Sequence, residues 1–258
     1  MRYAFLDHDG PIAFAHRGGA LGAPENTMAA FQRAVDLGYR YIETDVQATA
    51  DGALLAFHDA DLTRVTGEPG KIARLPYRRV ARARIHGTEP IPLLEDVLAA
   101  FPAVRFNIDI KDRPAITPLI RVLHRTGAWD RVCITSFSTR RLARARAQAA
   151  PLTREPVCTA LGPGGVAAVR LGGRAARIAA EGVACAQIPH VLGPLPFATA
   201  SFVAQAHAVG LAVHAWTVND RTAMGRLLDS GVDGIMTDDL EALREVMAGR
   251  GLWSGAGA

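Results

Sequence analysis

The sequence predicts an α/β fold, the (β/α)8 TIM barrel, elaborated by a β-hairpin and a small insertion after the second strand. Three observations carry that expectation. Short apolar, β-branched runs alternate with longer stretches of helical period, there are eight of each, and most of the helical stretches end at a glycine. With 258 residues, 49% of them hydrophobic, a single domain over 1–258 can bury the core such a barrel needs.

Strands are expected at 12–16, 41–46, 104–110, 132–136, 156–160, 184–188, 212–217 and 233–237. Helices are expected at 27–37 before Gly38, 93–100, 115–125 before Gly127, 139–149, 174–180, 198–208 before Gly210, 221–229 before Gly231 and 240–248 before Gly249. A further strand-like run at 54–57 lies too close to Val46 for a helical crossover. Asp51-Gly52 is a hairpin signal, and a two-residue turn there pairs Ala50 with Ala53 and, followed back, His58 with Asp45. Residues 59–92 carry turn signals without sustained period and read as an excursion over the barrel mouth. The Gly/Ala-rich tail, 251–258, is expected to be flexible.

Composition removes several classes of function. The net charge is +4, and Lys71 and Lys111 are the only lysines, every other basic residue being Arg. The run Arg140, Arg141, Arg144 and Arg146 reads as a solvated helix face, since it lacks the interleaved aromatics on which bases stack; nucleic-acid binding is not expected. Cys133, Cys158 and Cys185 form no C-x-x-C pair and are expected as buried thiols. The first residues lack an apolar signal region, and no stretch of about 18 uninterrupted apolar residues occurs, so the expectation is a cytoplasmic protein without stable membrane insertion.

In a barrel of this kind the polar residues at the C-terminal ends of the strands converge on the mouth. Glu43 and Asp45, two apart, point the same way along their strand, and Asp109 ends another. Either these acids pair with arginines as ordinary strand-end carboxylates, or they face inward, where their mutual repulsion calls for a cation. Three hard oxygen donors without a nearby Cys or His pair suit Mg²⁺ or Ca²⁺ better than Zn²⁺. His16 and His58 should face the same opening, where a pair of imidazoles with an ordinary pKa of about 6.5 can serve as general acid and general base. Arg17, followed by Gly18-Gly19 with their backbone N–H groups, fits a tetrahedral oxyanion. Lys111 shares parity with Asn107 and Asp109, which brings an ammonium to the same centre. Trp216 ends the seventh strand, either as core or as an apolar wall for a substrate's carbon face.

Six ordered blocks then resemble one family over nearly the whole chain. They are His16-Arg-Gly followed by Pro24-Glu-Asn-Thr27, Glu43-x-Asp45, Asp51-Gly followed by His58-Asp59, Asn107-x-Asp109-x-Lys111, Trp216-Thr-Val-Asn219 and Asp233-Gly-Ile-Met-Thr-Asp238. The chain is similar in these to the glycerophosphodiester phosphodiesterases. The resemblance implies a TIM barrel that uses one divalent cation, held by Glu43, Asp45 and Asp109. His16 and His58 become the catalytic pair, Arg17 and Lys111 bind the phosphate, and Glu25 and Asn26 border the site, Asn26 touching metal or phosphate. The third ligand is commonly Glu in the family; Asp109 is shorter by a methylene, which leaves Mg²⁺ and Ca²⁺ both open.

The implied reaction is metal-dependent hydrolysis of a small-molecule glycerophosphodiester to sn-glycerol 3-phosphate and an alcohol. The alternative is action on lipid phosphodiesters, as in a lysophospholipase D or a phosphoinositide phospholipase, with Leu62, Val65, Ile72, Leu75 and Tyr77 of the insertion forming an apolar rim. A barrel that binds phosphate without turning it over is a third reading; the presence of both histidines and all three acids argues against it. Head group and oligomeric state are not legible at this level.

Overall fold

A computed structural model describes residues 3–154 and 156–253. Eight parallel strands form the barrel: β1 (Ile12–His16), β2 (Tyr41–Ala48), β3 (Arg105–Ile110), β4 (Val132–Thr135), β5 (Cys158–Thr159), β6 (Cys185–Pro189), β7 (Ala212–Trp216) and β8 (Gly234–Thr237). Their order is β5-β4-β3-β2-β1-β8-β7-β6, so the first and last strands of the chain are neighbours. The ring closes between β5 and β6 through Ala184 N–H to Thr159 O at 2.9 Å and Leu161 N–H to Cys185 O at 2.8 Å.

The helices are α1 (Met28–Asp36), α2 (Leu94–Ala100), α3 (Ile116–Thr126), α4 (Thr139–Ala149), α5 (Pro163–Leu171), α6 (Gly173–Ala180), α7 (Ala200–His207), α8 (Arg221–Asp229) and α9 (Leu240–Ala248). The side-chain hydroxyls of Thr27, Ser138 and Thr199 and the carboxylates of Asp220 and Asp239 accept from backbone N–H groups in the first turns of α1, α4, α7, α8 and α9, each satisfying a donor the helix cannot. Gly127 ends α3 in the left-handed conformation. Of these nine, only α5 has no counterpart among the expected helices. Pro163-Gly164-Gly165 reads as loop, yet Pro163 occupies the first helical turn, where its missing N–H costs nothing. No helix among the described residues is long and apolar enough to cross a membrane.

The period of two in each strand divides the core. Outward residues such as Ile42, Ile108, Ile134, Val213 and Ile235 pack under Phe31, Leu119, Leu142, Phe202 and Leu243 of the helices. Inside the barrel lie Phe14, Tyr41, Met236 and the three free cysteines, with Tyr3 and Phe5 closing the floor. Tyr41 stacks edge-on against Phe5 at 5.3 Å and donates to its carbonyl at 2.9 Å, which binds the N-terminal segment to the barrel.

The hairpin forms, but one residue out of the expected register. Val46 pairs with Ala56, Gln47 with Leu55 and Ala48 with Leu54. The turn carries three residues: Gly52 N–H bonds to Thr49 O and Thr49 N–H to Ala53 O. Of Asp51 and Gly52 only Gly52 has a positive φ, whereas the favoured two-residue hairpin turns require it at the first of the two, the place of Asp51. His58 is therefore not opposite Asp45; Phe57 donates its N–H to the Asp45 carbonyl instead.

The insertion is more ordered than its lack of periodicity suggested. It contains the short helices Thr63–Thr66 and Tyr77–Val80 and a ladder of Arg84–Ile85 with Glu89–Pro90. Leu62, Val65 and Ile72 are buried with Leu55, Phe57 and Ile85 in a small core, and Leu75 and Tyr77 pack against it, so they line no apolar rim at the mouth. Two further expectations are corrected. Leu252 and Trp253 of the supposed flexible tail pack on the core, Trp253 edge-on to Tyr39 at 5.0 Å; residues 254–258 lie outside the described residues. Within the supposedly solvated arginine run of α4, Arg141 donates to the Lys111 carbonyl and Arg146 to Thr159 Oγ1.

Gly18 and Gly19 also do something other than expected. Their N–H groups are used in the turn, donating to Ala15 O at 3.2 Å and His16 O at 2.8 Å, so they do not present a free anion cradle. They are needed for their shape: Gly19 has φ +94° and a Cβ there would lie 2.6 Å from Cγ of the buried Leu240. Gly52 has φ +84° but open space beside it. Gly52→Ala should cost about 1 kcal/mol and Gly19→Ala about 2–4 kcal/mol, because strain and clash add. Thermal unfolding checks the order; equal midpoints for the two variants would contradict this account.

Candidate active site

The mouth is set by how β1 ends. After His16, the residues Arg17, Gly18 and Gly19 all have positive φ, at 51°, 82° and 94°, and Asn26 follows at 56°. Two non-glycine residues in the left-handed region, at one loop, mark a backbone held by its surroundings. The holding contacts are visible: Arg17 N–H donates to Glu43 Oε2 at 3.2 Å and Asn26 N–H to Arg17 O at 2.9 Å. Asn26 then donates from Nδ2 to Asp45 Oδ2 at 3.0 Å and accepts from Thr44 Oγ1 at 2.7 Å. Its amide fixes the Asp45 carboxylate.

Glu43, Asp45 and Asp109 are all buried, at 5%, 1% and 4% exposure, so of the two directions that parity left open the acids take the inward one. Adjacent pairing of β2 and β3 sets Asp45 beside Asp109. Lys111 Nζ bridges the two, 2.8 Å from Asp45 Oδ1 and 2.7 Å from Asp109 Oδ2. Arg17 Nε lies 3.2 Å from Asp45 Oδ2, close enough for an ion pair but out of line for a hydrogen bond. Below them Asn107 and Gln187 exchange amide hydrogen bonds across the barrel.

These contacts divide the carboxylates. Burial would raise Asp45, but Lys111 and Arg17 outweigh it and hold the group below the ordinary range. For Glu43 the balance reverses: burial first, then the charge of Asp45, push it up to about 7 against the opposing charges of His16, Lys111 and Arg17. Burial also raises Asp109 in spite of Lys111. Lys111 itself is held above its usual value, since Asp45 and Asp109 outweigh its burial.

The two histidines are built alike. His16 Nδ1 is 2.7 Å from Asp238 Oδ1, which makes Nδ1 the donor and leaves Nε2 facing Glu43 at 3.7 Å. Burial lowers the His16 pKa, but Glu43 and then Asp238 outweigh it and set it above its ordinary value. His58 Nδ1 is 2.6 Å from Asp59 Oδ1. Despite the shifted hairpin, His58 still lies on the side of the mouth that holds Asp45 and Glu25. Arg64, from the insertion, binds Asp59 and grips both oxygens of Glu25 at 2.6 and 2.9 Å, while Arg17 Nη1 takes Glu25 at 3.1 Å. The insertion thus meets the mouth at this corner.

Residue-by-residue reasoning had assigned no part to Asp238, Asp59 or Arg64. The first two carried a signal: Asp238 ends β8 and Asp59 follows His58 directly. The Trp216-Thr-Val-Asn219 block also gains a reason, since Asn219 accepts from Asp238 N–H at 2.9 Å and donates to Asp238 Oδ2 at 3.1 Å. Trp216 stands on the other side of the opening, edge-on to Phe137 at 5.5 Å, and Phe137 lies under Lys111 Nζ at 5.8 Å.

Glu43, Asp45 and Asp109 are the residues suited to a cation. Among the described residues no three acidic, imidazole or thiol groups stand together as a ready ligand shell, because Lys111 lies between two of the acids. The donor chemistry nonetheless fits a hard divalent ion. Asp109 Oδ1 is buried without a hydrogen-bond partner, and Glu43 is a buried carboxyl short of countercharge.

Residues 16–242 match the model of the glycerophosphoryl diester phosphodiesterase family. A relative from Mycobacterium tuberculosis, named as a probable glycerophosphodiester phosphodiesterase, is 45% identical over 258 residues, covering 98% of this chain and 96% of its own. Two solved structures share the fold at TM-score 0.80. One, a glycerophosphoryl diester phosphodiesterase from Silicibacter pomeroyi described as putative in its report, is 23% identical and covered over 97% of this chain and 99% of its own. The other, an Oleispira antarctica phosphodiesterase in complex with the product sn-glycerol-3-phosphate, is 22% identical and covered over 96% and 100%. The family match over residues 16–242 and the near full-length relative establish that this chain belongs to the glycerophosphoryl diester phosphodiesterase family.

Proposed function

We propose that this protein hydrolyses glycerophosphodiesters to sn-glycerol 3-phosphate and an alcohol, with His16 and His58 as the general acid and base. The observation that carries the reading is the matched pair of dyads, His16 with Asp238 and His58 with Asp59, flanking the buried acids Glu43, Asp45 and Asp109. The near full-length relative named for this activity supports the substrate class.

A divalent cation held by Glu43, Asp45 and Asp109, Mg²⁺ or Ca²⁺, would polarise a phosphoryl oxygen as a Lewis acid when bound. The chain's own residues account for the rest. Arg17 and Lys111 carry positive charge to the phosphate, where it offsets the negative charge that grows as the nucleophile adds. A carboxylate on Nδ1 fixes each imidazole's tautomer, so each presents Nε2 to the site. One takes the proton of the nucleophile, either water or the substrate's own 2-hydroxyl, and the other protonates the departing alkoxide. Asp238 and Asp59 keep the rings aimed, and Asp238 also favours the protonated form of His16. Asn26 orders Asp45, and Glu25 ties the first loop to Arg64.

Replacement of either histidine by Ala should lower kcat by about 10²–10⁴-fold with an unchanged circular dichroism spectrum. Full activity in both variants would refute the assignment. Asp238→Asn, which keeps the hydrogen-bonding shape but not the charge, should cost about 10–100-fold.

Chelation should abolish turnover of glycerophosphocholine, glycerophosphoethanolamine and glycerophosphoglycerol, and added Mg²⁺ or Ca²⁺ should restore it. Undiminished turnover in chelator would remove the cation from the scheme, and no turnover of any of the three with metal present would remove the substrate class.

A further inference from the structure

Two parts of the mouth are not explained by the chemistry above. One is an apolar cavity of about 590 Å³ over the ends of β4, β5, β6 and β7, beyond the Phe137–Trp216 pair. The other is the charged corner where the insertion meets the loop after β1. Its centre is Arg64, carried by the short helix Thr63–Thr66. Leu62 and Val65, on either side of Arg64 in the chain, are anchored in the insertion's small core, so the guanidinium is presented from a fixed backbone.

In each histidine–aspartate dyad the second oxygen of the carboxylate is also held. Asp238 binds His16 through Oδ1 and receives Asn219 Nδ2 on Oδ2 at 3.1 Å. Asp59 binds His58 through Oδ1 and receives Arg64 Nε on Oδ2. With both oxygens engaged, neither carboxylate can turn its plane away from its imidazole. Arg64 differs from Asn219 in what else it reaches: Nη1 and Nη2 take Oε2 and Oε1 of Glu25 at 2.9 and 2.6 Å. Arg17 meets the same carboxylate only through Nη1, at 3.1 Å, the longest of these three contacts. Burial would raise Glu25, but Arg64 and then Arg17 outweigh it and hold the group below the ordinary range. Without Arg64, the charge of Glu25 would fall on Arg17.

Resting on the phosphodiesterase reading above, we propose that Arg64 is a positioning residue for that reaction, aiming His58 through Asp59 and occupying Glu25 so that Arg17 stays free for the phosphate. One side chain of the insertion thereby sets both a proton-transfer group and an anion-binding group without touching the substrate. The two effects fall on different kinetic constants. A misaimed His58 lowers kcat, whereas an Arg17 drawn onto Glu25 weakens binding of the phosphodiester and raises KM. The Arg64 side chain is 48% exposed, so its loss costs the fold little and leaves a place that a small cation can enter from solvent.

The test is steady-state kinetics on glycerophosphocholine with Mg²⁺ or Ca²⁺ present. Arg64→Ala should lower kcat about 10–100-fold and raise KM about two- to fivefold, with the thermal midpoint moved by less than about 4 °C. Adding Glu25→Gln to Arg64→Ala removes the charge that captures Arg17 but leaves Asp59 unheld, so KM should return to within about twofold of wild type while kcat stays low. Added guanidinium ion should recover kcat several-fold in Arg64→Ala and not in wild type. Arg64→Lys, which keeps the charge but loses the fork that spans both acids, should fall between Arg64→Ala and wild type. Constants of Arg64→Ala within about twofold of wild type overturn the assignment and leave the phosphodiesterase reading intact. A loss that neither guanidinium nor Glu25→Gln relieves also overturns it, since that is the mark of a damaged fold. If metal-loaded wild type cleaves no glycerophosphodiester, the phosphodiesterase reading fails and the assignment with it, an outcome that the wild-type assay alone identifies.

Discussion

Carboxylates buried together at the mouth are the constraint from which the local structure follows. Glu43, Asp45 and Asp109 cannot all stay charged out of water without cations near them. Lys111 meets that need by bridging Asp45 and Asp109, and Arg17 by leaning on Asp45. To bring Arg17 there, the chain leaves β1 through three consecutive residues of positive φ, and the glycines at 18 and 19 exist to let that turn pack on α1 and Leu240. The strain at Arg17 and Asn26, the tight glycine contacts and the intermediate acidity of Glu43 all trace to this one demand.

The opening consists of two chemically unlike arcs. The strand ends from β8 through β1 and β2 to β3 supply the acids, the cations and the imidazole of His16, with His58 entering from the hairpin. The ends of β4 through β7 supply the apolar cavity. Phe137 and Trp216 join them, since an aromatic ring can face an ammonium on one side and hydrocarbon on the other. Chain topology makes this division simple, because adjacent strands in the ring can specialise without disturbing the helical layer outside.

Much of this was legible in the sequence because it depends on period. The eight barrel strands stand where short apolar runs placed them, and the inward parity of Glu43 with Asp45 follows from the same repeat of two. What could not be read depends on contacts rather than period. The hairpin register turned on a single dihedral at Asp51, and one residue of difference moved His58 from its expected partner. The satellite core under Leu62, Val65 and Ile72 is built from helices of four residues, too short to show a pattern. Pro163 opens a helix because of its position in the first turn, a fact invisible beside two glycines. The Asp238 partner of His16 lies 222 residues away, so only the closed ring reveals it.

That separation has a consequence for how the protein comes to life. β1 is hydrogen-bonded to β8 from Ile12 with Gly234 to Ala15 with Thr237, so the ring cannot be sealed until the chain has been made at least as far as Thr237. The imidazole of His16 gains its Asp238 partner only after more than two hundred further residues have been added, and a chain cut before β8 holds its acids and arginines beside a His16 ring without that contact. The mouth is therefore assembled in one step, with the last strand of the ring.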